Sequence, residues 1–338
     1  MEFSGSHILS VTQFERADVE RIFGVADRMQ PYAQRRRITR VLEGAILGAM
    51  FFEPSTRTRV SFGSAFNLLG GEVRETTGIE NSAIAKGESL YDTARVLSGY
   101  SDVIAMRHPQ DGSVGEFAAA SRVPVLNGGD GSNEHPSQAL LDLYTIRAEL
   151  AGRERGIDGL RIAMVGDLRF GRTVHSLCKL LCLFHGVQVM LVSPRELRMP
   201  VPIVEQLRRA GHRVSESDVM EEGIAHVDIV YSTRLQEERF ASAEEAALYR
   251  GRFRLNQQVY TRHCDPNTVI MHPLPRDSRA NARELDDDLN DNPNLAIFRQ
   301  TDNGVLVRMA LFALVLGVAG QVDRHARDVN WYTGSRLA

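Results

Sequence analysis

The fold is decided around FFEPSTRTR, residues 51–59, where an apolar run gives way to hydroxyl and arginine side chains. Residues 45–52 are apolar over a length that suits a buried strand, and Phe62 and Phe66 recur at the spacing of one helix face. Ser55 lies between the two patterns, and serine is a common N-cap of helices. The stretch therefore predicts a strand that turns directly into a helix.

The predicted helix start offers several groups that bind anions. The first-turn amides of a helix have no intrahelical partner, and the helix dipole is positive at this end. Ser55, Thr56 and Thr58 add hydroxyl donors, and Arg57 adds a planar guanidinium suited to phosphate oxygens. We interpret the segment as a phosphate-binding loop. The alternative is an ordinary capped helix with a solvated arginine.

Composition indicates a globular chain long enough for two domains. The sequence has 338 residues, 43% hydrophobic and 25% charged, with a formal net charge of -3. This charge provides no general attraction to nucleic acid or to anionic membranes. The longest apolar run, 309–320, is too short for a membrane span, and the N-terminus lacks a signal pattern. Three cysteines make no disulfide framework, so we expect a cytoplasmic location.

Strand patterns alternate with helical patterns along the chain, which is typical of α/β folds. The composition restarts after a charged, glycine-bearing linker at 151–158. An amphipathic helix is expected over 11–30, and a helix whose apolar run is buried is expected over 302–322. The predicted strands are 45–52, 72–76, 103–106, 123–126, 161–165, 187–192, 228–231 and 268–271.

Chemically active side chains follow several of these strands. Arg107 comes just past the strand 103–106, at the edge where open α/β sheets bind ligands. Residues 127–131 have the composition of a flexible turn. His135 and Gln138 then lie three residues apart, which places them on one face of a helix. His135 alone is equally consistent with a capping histidine.

GDLRFGRT, residues 166–173, nearly fits the nucleotide-binding pattern G-x-x-x-x-G-K-T, with Arg172 in the place of the lysine. A nucleotide P-loop is one interpretation. The simpler interpretation is that Arg172, at a helix start, binds a carboxylate. Residues 175–185 place two histidines and two cysteines on one stripe, but the apolar residues around them favour a packed core helix over a metal site.

Two later strands are also followed by polar or rigid segments. If the segment after strand 228–231 is extended, Arg234 and Gln236 point the same way. After strand 268–271 comes HPLPR, whose two prolines lack amide donors but keep carbonyl acceptors, which suits a ligand NH2 group. The sequence leaves the isomer of the Leu274–Pro275 bond open.

Six motifs in the right order resemble the catalytic chain of the aspartate carbamoyltransferase family, over about residues 7–322. They are FFEPSTRTR, MRHPQ, GDGSNEHPSQ, MVGDLRFGRTVHS, STRLQEER and MHPLPR. The resemblance implies that carbamoyl phosphate and L-aspartate are joined to N-carbamoyl-L-aspartate and phosphate, the committed step of de novo pyrimidine biosynthesis.

The expected architecture is α/β, with two doubly wound parallel-sheet domains and the active site in the cleft between them. We expect residues 1–150 to form a carbamoyl phosphate-binding domain that the C-terminal helix 302–322 joins. Residues 151–301 would form an aspartate-binding domain, and 323–338 a C-terminal tail.

The resemblance assigns carbamoyl phosphate to hydroxyl, cationic and carbonyl groups. Arg107, His135 and Thr58 would surround the carbamoyl oxygen, whereas Gln138 and loop carbonyls would accept from its NH2 group. The residues assigned to carbamoyl phosphate are Ser55, Thr56, Arg57, Thr58, Ser82, Lys86, Arg107, His135, Gln138, Leu274 and Pro275. Those assigned to catalysis are Arg57, Thr58, Lys86, Arg107 and His135.

L-Aspartate is assigned to cationic and amide side chains, namely Lys86, Arg172, Arg234 and Gln236. Ser82 and Lys86 would come from a neighbouring subunit, because this family works as a homotrimer with shared active sites. The two substrates bring roughly four negative charges, and each ion pair at about 4 Å contributes on the order of 4 kcal/mol before desolvation. No cofactor, metal, nucleic acid or membrane partner is expected, and the presence of a regulatory chain stays open.

Three other functions are compatible with parts of the sequence. They are ornithine carbamoyltransferase, a non-catalytic paralogue of the same fold, and a P-loop nucleotide hydrolase. Arg234 would repel the cationic side chain of ornithine, and a paralogue would be signalled by loss of Lys86, Arg107 or His135, all of which are present. One departure from the family is Gly63, which stands where a glutamate is usual.

Overall fold

The computed structural model describes residues 1–78, 87–152 and 155–334. The chain forms two compact units, one of Met1–Leu141 with Asp302–Ala338 and the other of Asp142–Thr301. The first division falls inside a helix at 141/142, whereas the sequence suggested a boundary after residue 150. The reason lies in Asp142, whose carboxylate accepts hydrogen bonds from Tyr231 and Gln300, both in the second unit.

Eight of the described strands overlap the predicted ones, whereas the strands at 37–38, 213–217 and 327–328 were not predicted. The strands are β1 (Arg37–Ile38), β2 (Ile46–Phe51), β3 (Glu72–Thr77), β4 (Val103–His108), β5 (Val125–Asp130), β6 (Arg161–Val165), β7 (Gln188–Val192), β8 (Arg213–Ser217), β9 (Ile229–Ser232), β10 (Val269–Met271) and β11 (Arg327–Asp328).

Helices connect the strands and cover the sheets. They are α1 (Arg16–Ala33), α2 (Thr56–Leu68), α3 (Leu90–Leu97), α4 (Ser113–Ala120), α5 (Pro136–Ala151), α6 (Arg172–Leu181), α7 (Val201–Arg209), α8 (Met220–Gly223), α9 (Ala243–Ala247), α10 (Gln257–His263) and α11 (Ile297–Val315). No helix in the described part of the chain combines the length and apolar character needed to cross a bilayer.

Each unit has its own parallel sheet. Among the described residues, the first unit has the strand order β3-β2-β4-β5 and the second unit has the order β10-β9-β6-β7-β8. All pairings within these two sheets are parallel. Parallel strands need helical crossovers, which bury both faces of the sheet and explain the near-continuous apolar strands. The predicted α/β fold with two parallel-sheet domains is confirmed.

Three segments differ from the sequence-based expectation. The helix expected over 11–30 is split, because Ser10 and Gln13 cap a short 3-10 turn before α1 begins after its own N-cap, Glu15. The C-terminal helix spans Ile297–Val315 and not 302–322. Its end is set by Gly317, which adopts a φ of 71° as the chain turns away.

The third difference concerns residues 127–131, which were expected to form a flexible turn. Residues 127–130 belong to β5 and are buried. The side chain of Asn127 donates to Leu9 O (2.9 Å), and a Cβ on Gly128 would lie 3.2 Å from Met106 O. The glycine is thus needed for close packing of the backbone.

The stripe of histidines and cysteines on α6 lies largely in the core, as the apolar surroundings predict. Cys178 is fully buried, and His175 Nε2 lies 2.8 Å from Leu168 O. Burial raises the pKa of Cys178 well above that of a free thiol. His185, by contrast, is exposed. Within the described ranges, no group of three acidic, histidine or cysteine side chains has a geometry suited to a metal.

The C-terminal segment packs back on the first unit. Strand β11 pairs antiparallel with β1, and Tyr32 Oη donates to Asp323 Oδ1 at 2.6 Å. Thr39 Oγ1 donates to Val322 O at 2.8 Å. Residues 323–334 therefore belong to the first unit and are not a detached tail.

The core of the first unit is held by an aromatic cluster that joins two distant helices. Phe312 of α11 lies with its ring centroid 4.9 Å from Phe66 and 5.9 Å from Phe62 of α2, both edge to face. All three side chains are fully buried. Their packing fixes the helix that carries residues 56–58.

We expect Phe312→Ala to lower the free energy of unfolding by about 3–5 kcal/mol, because it opens a cavity among buried rings. Phe298→Ala, on the same helix but 49% exposed, is the matched control and should change it by less than about 0.5 kcal/mol. Urea denaturation followed by circular dichroism measures both. Equal effects of the two substitutions would contradict this account of the core.

Candidate functional site

The first unit presents the start of α2 at the carboxyl end of β2. Ser55 stands at the N-cap with an extended φ of −162°, and Thr56, Arg57 and Thr58 form the first turn. The first backbone hydrogen bond of the helix runs from Arg59 N to Ser55 O (3.2 Å). The preceding amides therefore point out of the helix end, where an anion is favoured.

Arg107 lies beside this helix start because β2 and β4 are neighbours in register. Phe51 is paired with Arg107, and Phe52 N donates to Arg107 O at 2.9 Å. The guanidinium Nε donates to Glu53 Oε2 at 2.9 Å, with 14% of the arginine side chain exposed. Glu53 thus orients Arg107. Sequence reasoning gave Glu53 no role, although it lies between the strand and the helix cap.

The next loop is held at the same sheet edge by a chain of polar contacts. His108 pairs with Asp130 across β4 and β5, and Asp130 forms a bridge with Glu134. The buried Glu134 carboxylate accepts from Ser10 Oγ (3.0 Å) and Val11 N (3.0 Å). These contacts hold Glu134, the residue that precedes His135, in place.

His135 is 3% exposed and stands just before the first residue of α5. Its Nδ1 lies 3.5 Å from Ser137 Oγ, and its carbonyl accepts from Gln138 N (3.0 Å). The half-buried Gln138 follows one turn later. The sheet thus gathers the α2 start, Arg107 and His135 at one edge, as the strand ends predicted.

Strand β3 ends at this edge too, because Thr77 pairs with Phe51 and Gly78 N donates to Phe51 O at 3.0 Å. Ser82 and Lys86, which the sequence also assigned to the site, lie outside the described residues.

Gly63 lies on the face of α2 that meets β3. A Cβ there would be 3.6 Å from Glu75 Oε1, at ordinary contact distance, and Glu75 pairs with Arg59. A glutamate at position 63 would place a second carboxylate against Glu75. Glycine at position 63 therefore leaves the Arg59–Glu75 pair without a competing carboxylate.

In the second unit, a buried carboxylate joins two loops. Asp167, 1% exposed, follows β6 and accepts from Arg169 N (3.2 Å) and Phe170 N (3.0 Å) in its own loop. Its other oxygen accepts from Gln236 N (3.0 Å) in the loop after β9. Burial raises the pKa of Asp167 above its usual value, and the three N–H donors oppose that rise.

This arrangement argues against the nucleotide P-loop interpretation of residues 166–173. In a P-loop the backbone N–H groups surround a phosphate, whereas here the Asp167 carboxylate takes two of them. Gly166, with a φ of 115°, allows the second loop to approach, since a Cβ would lie 2.5 Å from Thr233 O. The Asp167 side chain thus occupies the loop formed by residues 166–173.

Two of the cationic residues assigned to L-aspartate, Arg172 and Arg234, lie on these two loops. Arg172 is the first residue of α6, after the Asp167 turn. Arg234 has 22% of its side chain exposed and donates to Glu238 Oε1 at 2.8 Å. Gln236 Nε2 donates to Arg234 O at 3.0 Å. Because β6 and β9 are neighbours in the sheet, both loops leave it at one edge.

The proline-rich loop leaves β10 at this edge and is tightly held. The Leu274–Pro275 bond is cis, which answers the question left open by the sequence. Leu274 N donates to His272 Nδ1 (2.8 Å), so His272 Nε2 carries the hydrogen directed at Glu284 Oε1 (2.8 Å). His272 N donates to Gln300 Oε1 (2.9 Å). These bonds fix the carbonyls of the loop.

In a comparison with known proteins, both halves of the chain match the same family. Residues 6–148 match "Aspartate/ornithine carbamoyltransferase, carbamoyl-P binding domain", and residues 158–315 match "Aspartate/ornithine carbamoyltransferase, Asp/Orn binding domain". The aspartate carbamoyltransferase catalytic subunit of Saccharophagus degradans is 76% identical over 332 residues, 98% of each chain. That of Cellvibrio japonicus is 74% identical over 99% of each chain.

Solved structures agree with these relatives. Aspartate transcarbamoylase from Trypanosoma cruzi, in complex with carbamoyl phosphate and aspartate, is 38% identical with a TM-score of 0.85, covering 93% of this chain and 98% of that one. The M. jannaschii catalytic subunit is 42% identical with a TM-score of 0.82, covering 91% and 96%. The resemblance drawn from the six motifs is confirmed, and the chain belongs to the aspartate/ornithine carbamoyltransferase family.

Proposed function

We propose that this chain is an aspartate carbamoyltransferase, which converts carbamoyl phosphate and L-aspartate to N-carbamoyl-L-aspartate and phosphate in de novo pyrimidine biosynthesis. The observation that carries the proposal is the start of α2 beside the Glu53–Arg107 pair, a site suited to a phosphate group. The names of the near-full-length relatives support the choice of aspartate.

Carbamoyl phosphate is assigned to the first unit, with its phosphate on residues 55–58. Arg107, His135 and Thr58 surround the carbamoyl oxygen, and Gln138 accepts from the NH2 group. Ser82 and Lys86 add contacts to the phosphate. The carbonyls of Leu274 and Pro275 are further acceptors for a substrate NH2 group, and the hydrogen bond from Leu274 N to His272 holds this loop in place.

L-Aspartate is assigned to Arg172, Arg234 and Gln236 of the second unit, together with Lys86. The two arginines match two carboxylates, since guanidinium groups bind carboxylates by paired hydrogen bonds. The same charges disfavour ornithine, whose side chain is a cation. The Asp167 carboxylate takes two N–H groups of loop 166–173, which disfavours a nucleotide phosphate there.

The chemistry is a direct attack of the aspartate amine on the carbamoyl carbon. The new C–N bond forms, the bond from carbon to the bridging phosphate oxygen breaks, and phosphate leaves with the electron pair. Arg107, His135 and Thr58 stabilise the oxyanion that develops on the carbonyl oxygen. The departing phosphate accepts the proton that the amine loses.

A ureido-product assay tests the proposed substrate directly. The purified chain with carbamoyl phosphate should form product from L-aspartate, and none above background from L-ornithine. Product from L-ornithine, with none from L-aspartate, would show that ornithine is the acceptor. No product from either would support a non-catalytic paralogue.

Arg107→Ala and His135→Ala should each lower kcat by about 100- to 1,000-fold, because each removes a donor that acts on developing charge. Arg40→Ala is the matched control, since its side chain is 61% exposed in a surface pair with Glu43, and it should leave kcat unchanged. Steady-state kinetics with both substrates measures the effects. A rise in KM with unchanged kcat would contradict the proposal that these residues stabilise the oxyanion.

We also propose a cytoplasmic homotrimer in which a neighbouring subunit supplies Ser82 and Lys86. The family resemblance supports this assembly, and a regulatory chain is a further partner of the same proposal. Sedimentation of the purified chain should give a particle of three subunits. A monomer that retains full activity would contradict shared sites.

A further inference from the structure

A cluster of three acids and two arginines connects the substrate loops of the second unit; its members are Glu237, Asp277, Glu284, Arg250 and Arg279. Glu237 begins a 3-10 turn directly after Gln236. Its carboxylate accepts from Arg250 Nε and Nη2, each at 2.8 Å, in a two-pronged pair. It also accepts from Arg279 Nη2 (2.6 Å) and Nη1 (3.3 Å). Glu237 therefore binds two guanidinium groups at once.

The geometry of Glu237 distinguishes it from an ordinary surface pair. Its side chain is only 20% exposed, and that of Arg250 is 23% exposed. Hydrogen bonds from Arg250 and Arg279 lower the pKa of Glu237 to about 2, so it is ionised throughout the neutral range. Isolated exposed pairs contribute little, whereas two-pronged pairs within a network hold a defined geometry.

The arginine partners lead from Glu237 to the proline-rich loop. Arg279 Nε also donates to Asp277 Oδ1 at 3.0 Å, and Asp277 N donates to Glu284 Oε1 at 3.1 Å. Glu284 is the same carboxylate that receives His272 Nε2. A continuous set of contacts thus runs from Glu237 to the loop that contains Leu274 and Pro275.

The segment with Arg234 and Gln236 is consequently tied down at both ends. At its start, Thr233 N donates to Val165 O at 2.8 Å, and within the segment Gln236 N donates to Asp167 Oδ2 at 3.0 Å. At its outer end, Glu237 is bound to Arg250 and Arg279. We propose that Glu237 is a positioning residue, which couples the loop carrying Arg234 and Gln236 to the proline-rich loop and so sets the affinity for L-aspartate.

The kinetic part of this inference rests on the proposed function. Glu237→Gln keeps the size of the side chain but replaces one carboxylate oxygen by an NH2 group, which faces guanidinium donors. We expect KM for L-aspartate to rise about tenfold with kcat changed less than about twofold, as coupled neighbours of a binding group commonly do. Glu237→Asp, which keeps the charge, should recover part of the affinity.

Glu205→Gln is the matched control. Glu205 also pairs with an arginine, Arg209 Nη2 at 2.7 Å, but the two side chains are 52% and 76% exposed on α7. This variant should keep the KM of the unaltered chain. In a double variant, Arg250→Gln should add little to the effect of Glu237→Gln, because both changes break the same two-pronged pair.

Amide hydrogen exchange of the peptide 233–240, without substrate, gives a readout that does not depend on the reaction. Faster exchange in Glu237→Gln, but not in Glu205→Gln, supports the coupling. Unchanged exchange, or an unchanged KM for L-aspartate, overturns it. If the unaltered chain forms no product from L-aspartate, the proposed function fails while the exchange result still decides on the positioning role.

Discussion

Backbone and guanidinium N–H groups at the carboxyl ends of the parallel strands need acceptors, and acidic side chains supply them in both units. Glu53 accepts from Arg107 in the first unit, and Asp167 accepts from three backbone amides in the second. Because a buried N–H without an acceptor is costly, these carboxylates determine the conformations that the loops adopt. The remaining site geometry depends on this pairing.

Carboxylates beside a site for anionic substrates carry a cost, since they repel the ligand. The structure limits that cost for two of these acids by directing them at N–H groups of the protein. Asp167 is 1% exposed and is directed at the backbone. Glu237 is enclosed by Arg250 and Arg279. The negative charges of Asp167 and Glu237 are thus balanced by N–H groups of the protein itself.

The sequence predicted eight of the strands, the helix start at Ser55 and the positions of Arg107 and His135, because these depend on local patterns and on the rule that parallel strands end at one edge. It missed β8, whose residues RVSES form no apolar run. It could not predict the partners of Arg107 and His135. Glu53 meets Arg107 only through the register of β2 with β4. Likewise, residues 127–131 have the composition of a turn. Only the close approach of the Met106 carbonyl explains why a glycine, Gly128, stands in a buried strand.

The aromatic cluster of the first unit has a consequence for the order in which the chain is made. Phe62 and Phe66 pack against Phe312, which lies beyond the whole second unit in the sequence. A growing polypeptide therefore has every residue of the second unit available before the helix that closes the first core has been synthesised. Until that helix emerges from the ribosome, Phe62 and Phe66 lack the ring that covers them in the folded unit.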